Sequence, residues 1–377
     1  MAKLGDFFTI ASGGTPDKRN PSYYENGTIP WVKTGDLKNQ YVPTGIDCIT
    51  EEGLNNSSAK LFPPHTVLVA MYGATIGACS ILSYEAATNQ ACAAFLPNEN
   101  VLPTYLYYFL SSKREQFVKD GVGGAQPNIS AGYLKNVQFG LIPMQQQIDI
   151  VEKLDKVEKL IALRKEQLAK LDQLVKSRFV ELFGDTPDEE KKTMADICKI
   201  ITDGTHQPPK FTSTGIPFLF VSNIVTNEIH YDAEKFISEE TYAELIKRTP
   251  IAIGDILLST VGSYGHPAVV KSDKPFCFQR HIAYLKPNAD MVNSEYLRGA
   301  ILSADVQRQI DERVKGIAQK TLNLSEIRKL QLPLPSMEQQ EQFAAFVEQT
   351  DKSKLAIRQS LDKLELLKKS LMQEYFG

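Results

Sequence analysis

Apolar residues along positions 144–183 fall at Leu154, Val157, Ile161, Leu168, Leu171, Val175 and Leu182, in steps of three, four and seven, with Arg164 and Arg178 interrupting the stripe. This spacing lines one side of a helix. No Gly or Pro occurs inside the segment; Pro143 precedes it and Gly184 follows it, as start and stop residues should. About 40 residues at ~1.5 Å each make a rod of roughly 60 Å. A second stripe, Phe343, Val347, Ile357, Leu361, Leu364 and Leu371, predicts a matching helix over 337–376. Elsewhere the apolar residues form short runs at 67–71, 81–83, 91–96, 256–260, 268–270 and 282–285. These read as strands between turns rich in Gly, Pro and Asn, with short helices over 104–118 and 294–314.

The two rods are copies. Residues 137–184 realign without a gap on 330–377, with fifteen identities in 48 positions, among them Met144/Met337, Gln147/Gln340, Leu168/Leu361, Phe183/Phe376 and Gly184/Gly377. A period of 193 residues is far beyond the ~20–50 of solenoid repeats, so each copy is a whole domain. Fainter echoes precede each rod: IASGGTP at 10–16 and IITDGTH at 200–206, IPWVKTGDL at 29–37 and IPFLFVSNI at 216–224, TNQACAAFLPN at 88–98 and CFQRHIAYLKPN at 277–288. The globular parts have diverged while the helical parts have not.

The expected fold is α+β: two α/β domains in tandem repeat, residues 1–143 and 185–336, joined by long helices over 144–184 and 337–377. A helix that long cannot bury its stripe on one small domain, so the two should pair. The second must return along the first, making an antiparallel coiled coil with pseudo-two-fold symmetry.

Composition narrows the function by exclusion. No apolar run approaches the ~20 residues of a membrane span, and the N-terminus lacks the apolar stretch of a signal peptide, which points to the cytoplasm. Five cysteines without C-x-x-C spacing read as buried thiols. The net charge of −3 argues against a high-affinity stand-alone nucleic-acid binder, but leaves room for local patches within a larger complex. No Walker loop, no H-E-x-x-H and no metal-ligand spacing of the five histidines is present. Asn20-Pro21-Ser22-Tyr23 only superficially matches a methyltransferase N-P-P-Y sequence, and Pro187-Asp188-Glu189-Glu190-Lys191 compresses nuclease-like residues into one linker. Neither reads as catalytic, so no catalytic residue, bound cofactor or metal is expected in this chain.

GGTP at 13–16, IPWVKTGDL, MYGATIG at 71–77, TNQACAAFLP, GLIPMQQQIDIV at 140–151 and the matching PLPSMEQQEQF at 333–343, taken with the duplication, resemble the specificity subunits of type I restriction-modification enzymes. The resemblance covers nearly the whole chain. It implies two target-recognition domains that read a bipartite double-stranded DNA sequence, and helices that set the spacer and hold two modification subunits. Restriction subunits join through these, with S-adenosylmethionine, ATP and Mg on the partners.

Base edges in the major groove are read by amides and guanidinium groups. The loop residues suited to this are Thr15, Lys18, Arg19, Asn20, Lys33, Asp36, Tyr72, Asn89, Gln90, Gln126 and Asn128 in the first unit. In the second they are Thr205, His206, Gln207, Lys210, Ser222, Asn223, Ser263, Tyr264, Gln279, Arg280, His281, Gln319 and Lys320. Lys113, Arg114, Arg298, Arg308, Arg313 and Lys315 are candidates for phosphate contacts. Two other readings stay open on the residues alone: a helical scaffold whose globular ends bind proteins rather than DNA, and a stand-alone modification enzyme.

Overall fold

The computed structural model describes residues 2–123, 127–184, 187, 191–316 and 319–377. The chain forms two compact units, Met1–Leu163 with Ser360–Gly377, and Arg164–Gln359. Each long helix therefore contributes one part to each unit.

The first unit contains strands β1 (Ile10–Ser12), β2 (Ile29–Val32), β3 (Cys48–Ile49), β4 (Leu61–Phe62), β5 (Val67–Ala70), β6 (Cys79–Ile81), β7 (Ala86–Thr88) and β8 (Cys92–Phe95). They make two four-stranded sheets, ordered β1-β8-β5-β6 and β3-β2-β7-β4. Around them lie α1 (Leu4–Phe7), α2 (Glu51–Asn55), α3 (Pro103–Ser112), α4 (Arg114–Asp120) and α5 (Ala131–Lys135), followed by the 40-residue α6 (Met144–Phe183). The stretch 104–118, expected as one helix, is broken at Lys113, where ψ is 2°.

The second unit repeats the plan. Its strands are β9 (Lys191–Thr193), β10 (Cys198–Asp203), β11 (Ile216–Leu219), β12 (Phe236–Ile237), β13 (Ile256–Ser259), β14 (Pro267–Val269), β15 (Cys277–Phe278), β16 (Ile282–Pro287) and β17 (Gln331–Pro333). Its main sheets are ordered β10-β16-β13-β14 and β12-β11-β15. The helices are α7 (Met194–Ile197), α8 (Glu239–Leu245), α9 (Ser294–Ile301), α10 (Ala304–Arg313), α11 (Leu324–Ile327) and the 40-residue α12 (Met337–Phe376). Residues 294–314, expected as one helix, divide where Ser303 leaves helical backbone and caps α10 through its hydroxyl.

Inside each unit the rods run antiparallel. In the first, Lys153 reaches the Tyr375 hydroxyl at 3.4 Å and Glu158 meets Lys368 at 2.5 Å, so α6 ascends as α12 descends. In the second, Asp172 meets Lys354 at 2.6 Å and Phe179 stacks edge-on against Phe343 at 5.4 Å. The stripe holds with one correction. Leu182 is exposed, and Phe179 and Phe183 point inward in its place, against Tyr296 and Phe343. The helical phase has drifted by a residue there, and the two rings bury far more surface than one leucine would. Phe376 does the same in the first unit, against Tyr105 and Phe109. Cys79, Cys92 and Cys277 are buried, whereas Cys48 and Cys198 are half-buried, and all five thiols are free. Burial pushes the Cys79 and Cys92 thiols up to about 12.

Candidate nucleic-acid interface

Strand direction gathers the candidate loops. β8 begins where β1 and β5 end, since Ala93 faces Ser12 and Cys92 faces Ala70. β2 and β7 run parallel and finish side by side at Val32 and Thr88. The C-terminal ends of four strands therefore meet at one rim, around the turn at residues 89–91. The loops after them carry Thr15 to Asn20, Lys33 to Asp36, Tyr72, and Asn89 with Gln90. The second unit does the same with the ends of β10, β11, β13 and β15 around the turn at residues 279–281.

The two rims share one backbone frame, bond for bond. Gly14 N donates to Thr88 O at 2.9 Å, as Thr205 N does to Phe278 O at 3.2 Å. Asn89 N donates to Val32 O at 3.0 Å, as Gln279 N does to Leu219 O at 3.2 Å. Met71 N–Ala91 O at 2.8 Å matches Thr260 N–His281 O at 3.0 Å, and Gly73 N–Pro127 O at 3.0 Å matches Gly262 N–Lys320 O at 3.2 Å. The hairpin Val122/Asn128 likewise repeats as Lys315/Thr321. A Cβ on Gly13 would lie 1.9 Å from Thr88 O, and one on Gly204 2.2 Å from Phe278 O, so only glycine lets the first loop cross the turn.

This frame moves two of the alignments read from the sequence by one residue. Gly13, not Gly14, corresponds to Gly204, and Gln90 corresponds to Arg280 rather than Gln279. Residues with the same job in both copies are then separable from those that differ. Asp36 Oδ2 accepts from Lys33 N at 2.8 Å, and Asn223 Oδ1 accepts from Phe220 N at 2.9 Å. Asn223 also donates to His230 O at 3.0 Å and Asp232 O at 3.3 Å, so its amide is fully used inside the loop. Asn89 Oδ1 accepts from Ala91 N at 3.1 Å, and Asn20 caps the turn Pro21–Tyr23. These four hold the frame.

The side chains that differ on it are Gln90 and Arg280, Tyr72 and Val261, Asn128 and Thr321, and Thr15 and His206. Thr15 donates its hydroxyl to Gln90 Oε1 at 2.5 Å. Arg280 Nε donates to His281 Nε2 at 3.3 Å, and burial, then the Arg280 charge, holds the His281 imidazole below its usual pKa. Tyr72 and Asn128 are exposed beside each other. Thr205 folds its hydroxyl onto Gln207 O at 2.8 Å, and Asp203 accepts from His206 at 2.9 Å and Arg248 at 2.5 Å. Gln279 lies half-buried in the turn, while Gln319 and Lys320 are exposed on the hairpin, Lys320 being 6.0 Å from the Tyr264 ring. The Tyr264 hydroxyl turns to Asp311 at 2.9 Å. Lys18, Lys210, Ser222 and Ser263 are exposed on the loops. Gln126 lies outside the described residues.

Charge at the first rim is largely paired at home. Arg19 grips Asp17, and its side-chain and backbone hydrogen bonds hold that carboxyl at about 2. Lys33 meets Asp47 and lies over Trp31. Among the phosphate candidates, Arg298 is buried against Glu295 inside α9, correcting the surface role expected for it. Its side chain joins a charged cluster with Glu295, Asp351 and Lys354, a meeting of distant segments that the sequence spacing did not reveal. Lys113 caps α12 through Phe376 O, Arg308 pairs with Asp305 and Glu312, and Arg313 binds Gln309 O. Lys315 sits on the rim, in the hairpin opposite Thr321, and Arg114 is exposed with its side chain against Gly77, just past the loop after β5. Val261, Thr321, Asp203 and Arg248 are rim residues that motif reading missed; the repeat itself points to the first two, which stand where the first unit has Tyr72 and Asn128.

The sequence profile of the family described as Type I restriction modification DNA specificity domain matches residues 1–173 and again residues 188–366. The chain belongs to this family and carries the domain twice. It is 25% identical over 375 residues to the type I restriction enzyme MjaIX specificity subunit of Methanocaldococcus jannaschii, spanning 92% of this chain and 85% of the relative. It is 30% identical over 162 residues, 42% of this chain and 40% of the relative, to the EcoR124I/EcoR124II specificity subunit of Escherichia coli. Its fold is similar to that of the S subunit of a type I restriction-modification system from M. genitalium, with a TM-score of 0.56 at 14% identity over all of this chain and 95% of that one. A structure described under complex assembly and conformational transition of the type I R-M system has a TM-score of 0.60 at 17% identity, over all of this chain and 96% of that one. No described helix is long and apolar enough to cross a membrane.

Proposed function

We infer that this chain is the DNA-reading subunit of a cytoplasmic type I restriction-modification complex, without chemistry of its own, and that each rim reads one half of a bipartite double-stranded target. The observation that carries this reading is the repeated frame: one backbone scaffold, built twice, with interchangeable side chains at its open edge. Recognition of two unlike half-sites asks for that division between fixed scaffold and variable contact. The paired rods would hold the two readers at a set separation and offer their outer faces to two modification subunits, through which restriction subunits join. S-adenosylmethionine, ATP and Mg would then act on those partners.

The test is reconstitution. The purified chain is expected neither to methylate nor to cleave DNA. With its modification subunit and S-adenosylmethionine, adenine methylation should appear at one bipartite motif, and cleavage should require the restriction subunit and ATP in addition. Methylation by the chain alone, or methylation by the modification subunit with the same sequence preference in the chain's absence, would refute the reading.

A further inference from the structure

We propose that Gln90 and Arg280 are equivalent base-reading residues, Gln90 selecting an adenine in the half-site of the first unit and Arg280 a guanine in that of the second. The proposal rests on the DNA-reading role inferred above and adds the identity of one base per half-site.

The two residues occupy the same place. Each is the second residue of the turn between the last strand of one sheet and the central strand of the other. In each turn the preceding residue, Asn89 or Gln279, donates its N–H to the end of β2 or β11. The following residue, Ala91 or His281, accepts from Met71 or Thr260 through its carbonyl. With both neighbours fixed, the side chain between them projects from a held backbone. Gln90 and Arg280 are both exposed.

Each is also aimed by one neighbour that leaves its reading atoms open. The Thr15 hydroxyl takes one lone pair of Gln90 Oε1 at 2.5 Å. The second lone pair and both Nε2 hydrogens remain without a partner among the described residues. That is an acceptor and a donor side by side, the complement of adenine N6–H and N7. His281 Nε2 takes the Nε hydrogen of Arg280 at 3.3 Å, and both Nη groups have no partner among the described residues. Two parallel donors on a planar fork complement guanine O6 and N7. His281 can accept only while neutral, which its lowered pKa favours. Thr15 and His281 are positioning residues in this scheme. The hairpins agree in sign with the difference: the second unit sets Lys315 and Lys320 where the first has Val122 and Pro127. The second rim is therefore the more cationic, as suits the more electronegative major-groove edge of guanine.

A phosphate contact is the competing role for Arg280. It would carry affinity without base choice.

The experiment maps methylated adenines in the DNA of cells expressing the full chain with its modification subunit, for the wild type, Arg280→Gln, Gln90→Arg and Thr15→Val. The wild-type motif should hold a fixed guanine in one half-site and a fixed adenine in the other. Arg280→Gln should relax or exchange that guanine alone, with discrimination against the other bases falling ~10- to 100-fold, and Gln90→Arg should change only the adenine. Thr15→Val should weaken discrimination at the adenine and leave every other position as it was. Both side chains are exposed, and an unchanged melting temperature of each variant shows that the fold is kept. A motif unaltered by Arg280→Gln, a change in the wrong half-site, or uniformly weaker methylation at an unaltered motif would each overturn the assignment. Absence of any sequence-specific methylation by the wild-type complex would instead remove the DNA-reading role beneath it, a distinguishable failure.

Discussion

Gln340 makes in the second unit the three hydrogen bonds that Gln147 makes in the first. Gln147 accepts from Leu102 N at 2.9 Å and donates to Asn100 O at 2.8 Å and Ile142 O at 2.9 Å. Gln340 accepts from Asn293 N at 2.8 Å and donates to Met291 O at 3.1 Å and Pro335 O at 2.9 Å. Both are fully buried in the first turn of a long helix, and each ties that helix to the start of a short one, α3 or α9. This joint explains why the glutamines survive in both copies: the turn they clasp has backbone groups with no other partner among the described residues.

Replacing either glutamine by leucine should therefore be costly. A leucine fills the space but leaves a buried N–H and two carbonyls unsatisfied, which costs about 2–4 kcal/mol for the site as a whole. Urea unfolding of Gln147→Leu and Gln340→Leu should show losses of similar size. A loss below about 0.5 kcal/mol in either would show that the clasp is incidental.

The charged cluster beside the second seam sets a pH dependence. Burial works to raise the Asp351 carboxyl, but the hydrogen bond and charge of Lys271, with Arg298 and Lys354 nearby, hold it below its usual value. A depressed carboxyl contributes stability above the unfolded value near ~4, and that contribution disappears as pH falls through the lower folded value. Asp351→Asn takes one of two carboxylates from Lys271, which keeps Glu295, and one from the buried Lys354, which keeps Asp172, and should cost about 1 kcal/mol at pH 7. The gap to wild type should narrow below pH ~4 in urea titrations. A gap of constant size down to pH 3 would assign the effect to packing instead.

How far the chain could be read without coordinates depends on what each residue answers to. The rods were legible because a heptad stripe is a local, periodic signal, and the duplication shows it twice. Leu182 was misplaced because a straight helix drifts against a strict repeat, and only the facing rings Tyr296 and Phe343 decide that Phe179 and Phe183 turn in. The candidate loops were legible as Gly- and amide-rich turns. Their roles were not, because Asp36 and Asn223 look like base readers until their side chains are seen closing their own turns. The one-residue shifts at Gly13/Gly204 and Gln90/Arg280 have the same origin: identity of letters favoured one alignment, and hydrogen bonds between distant strands fix another.

Because each rim is assembled entirely within its own unit, exchanging residues 1–137 for the same segment of a related specificity subunit should change one half-site and leave the other intact. Methylation mapping of the hybrid complex reads this directly. Alteration of both half-sites, or of neither, would break the assignment of one rim to one half-site.

The last expectation concerns the rods as a ruler. If the antiparallel pair sets the separation of the two readers, lengthening it must lengthen the unread spacer between half-sites. The insertion has to be made in both rods, after Leu163 and after Gln359, where the units divide, so that the seam within each unit keeps its register. Four residues add ~6 Å and turn the helix by ~400°, a net change of only ~40°. At ~3.4 Å per base pair that is close to two base pairs, so methylation should persist at the same half-sites with a spacer about two base pairs longer. Two residues in each rod add ~3 Å but rotate by ~200°, which turns the apolar stripe away from its partner and should abolish assembly. An unchanged spacer in an active complex carrying the four-residue insertions would mean that the rods tether the readers without measuring the distance between them.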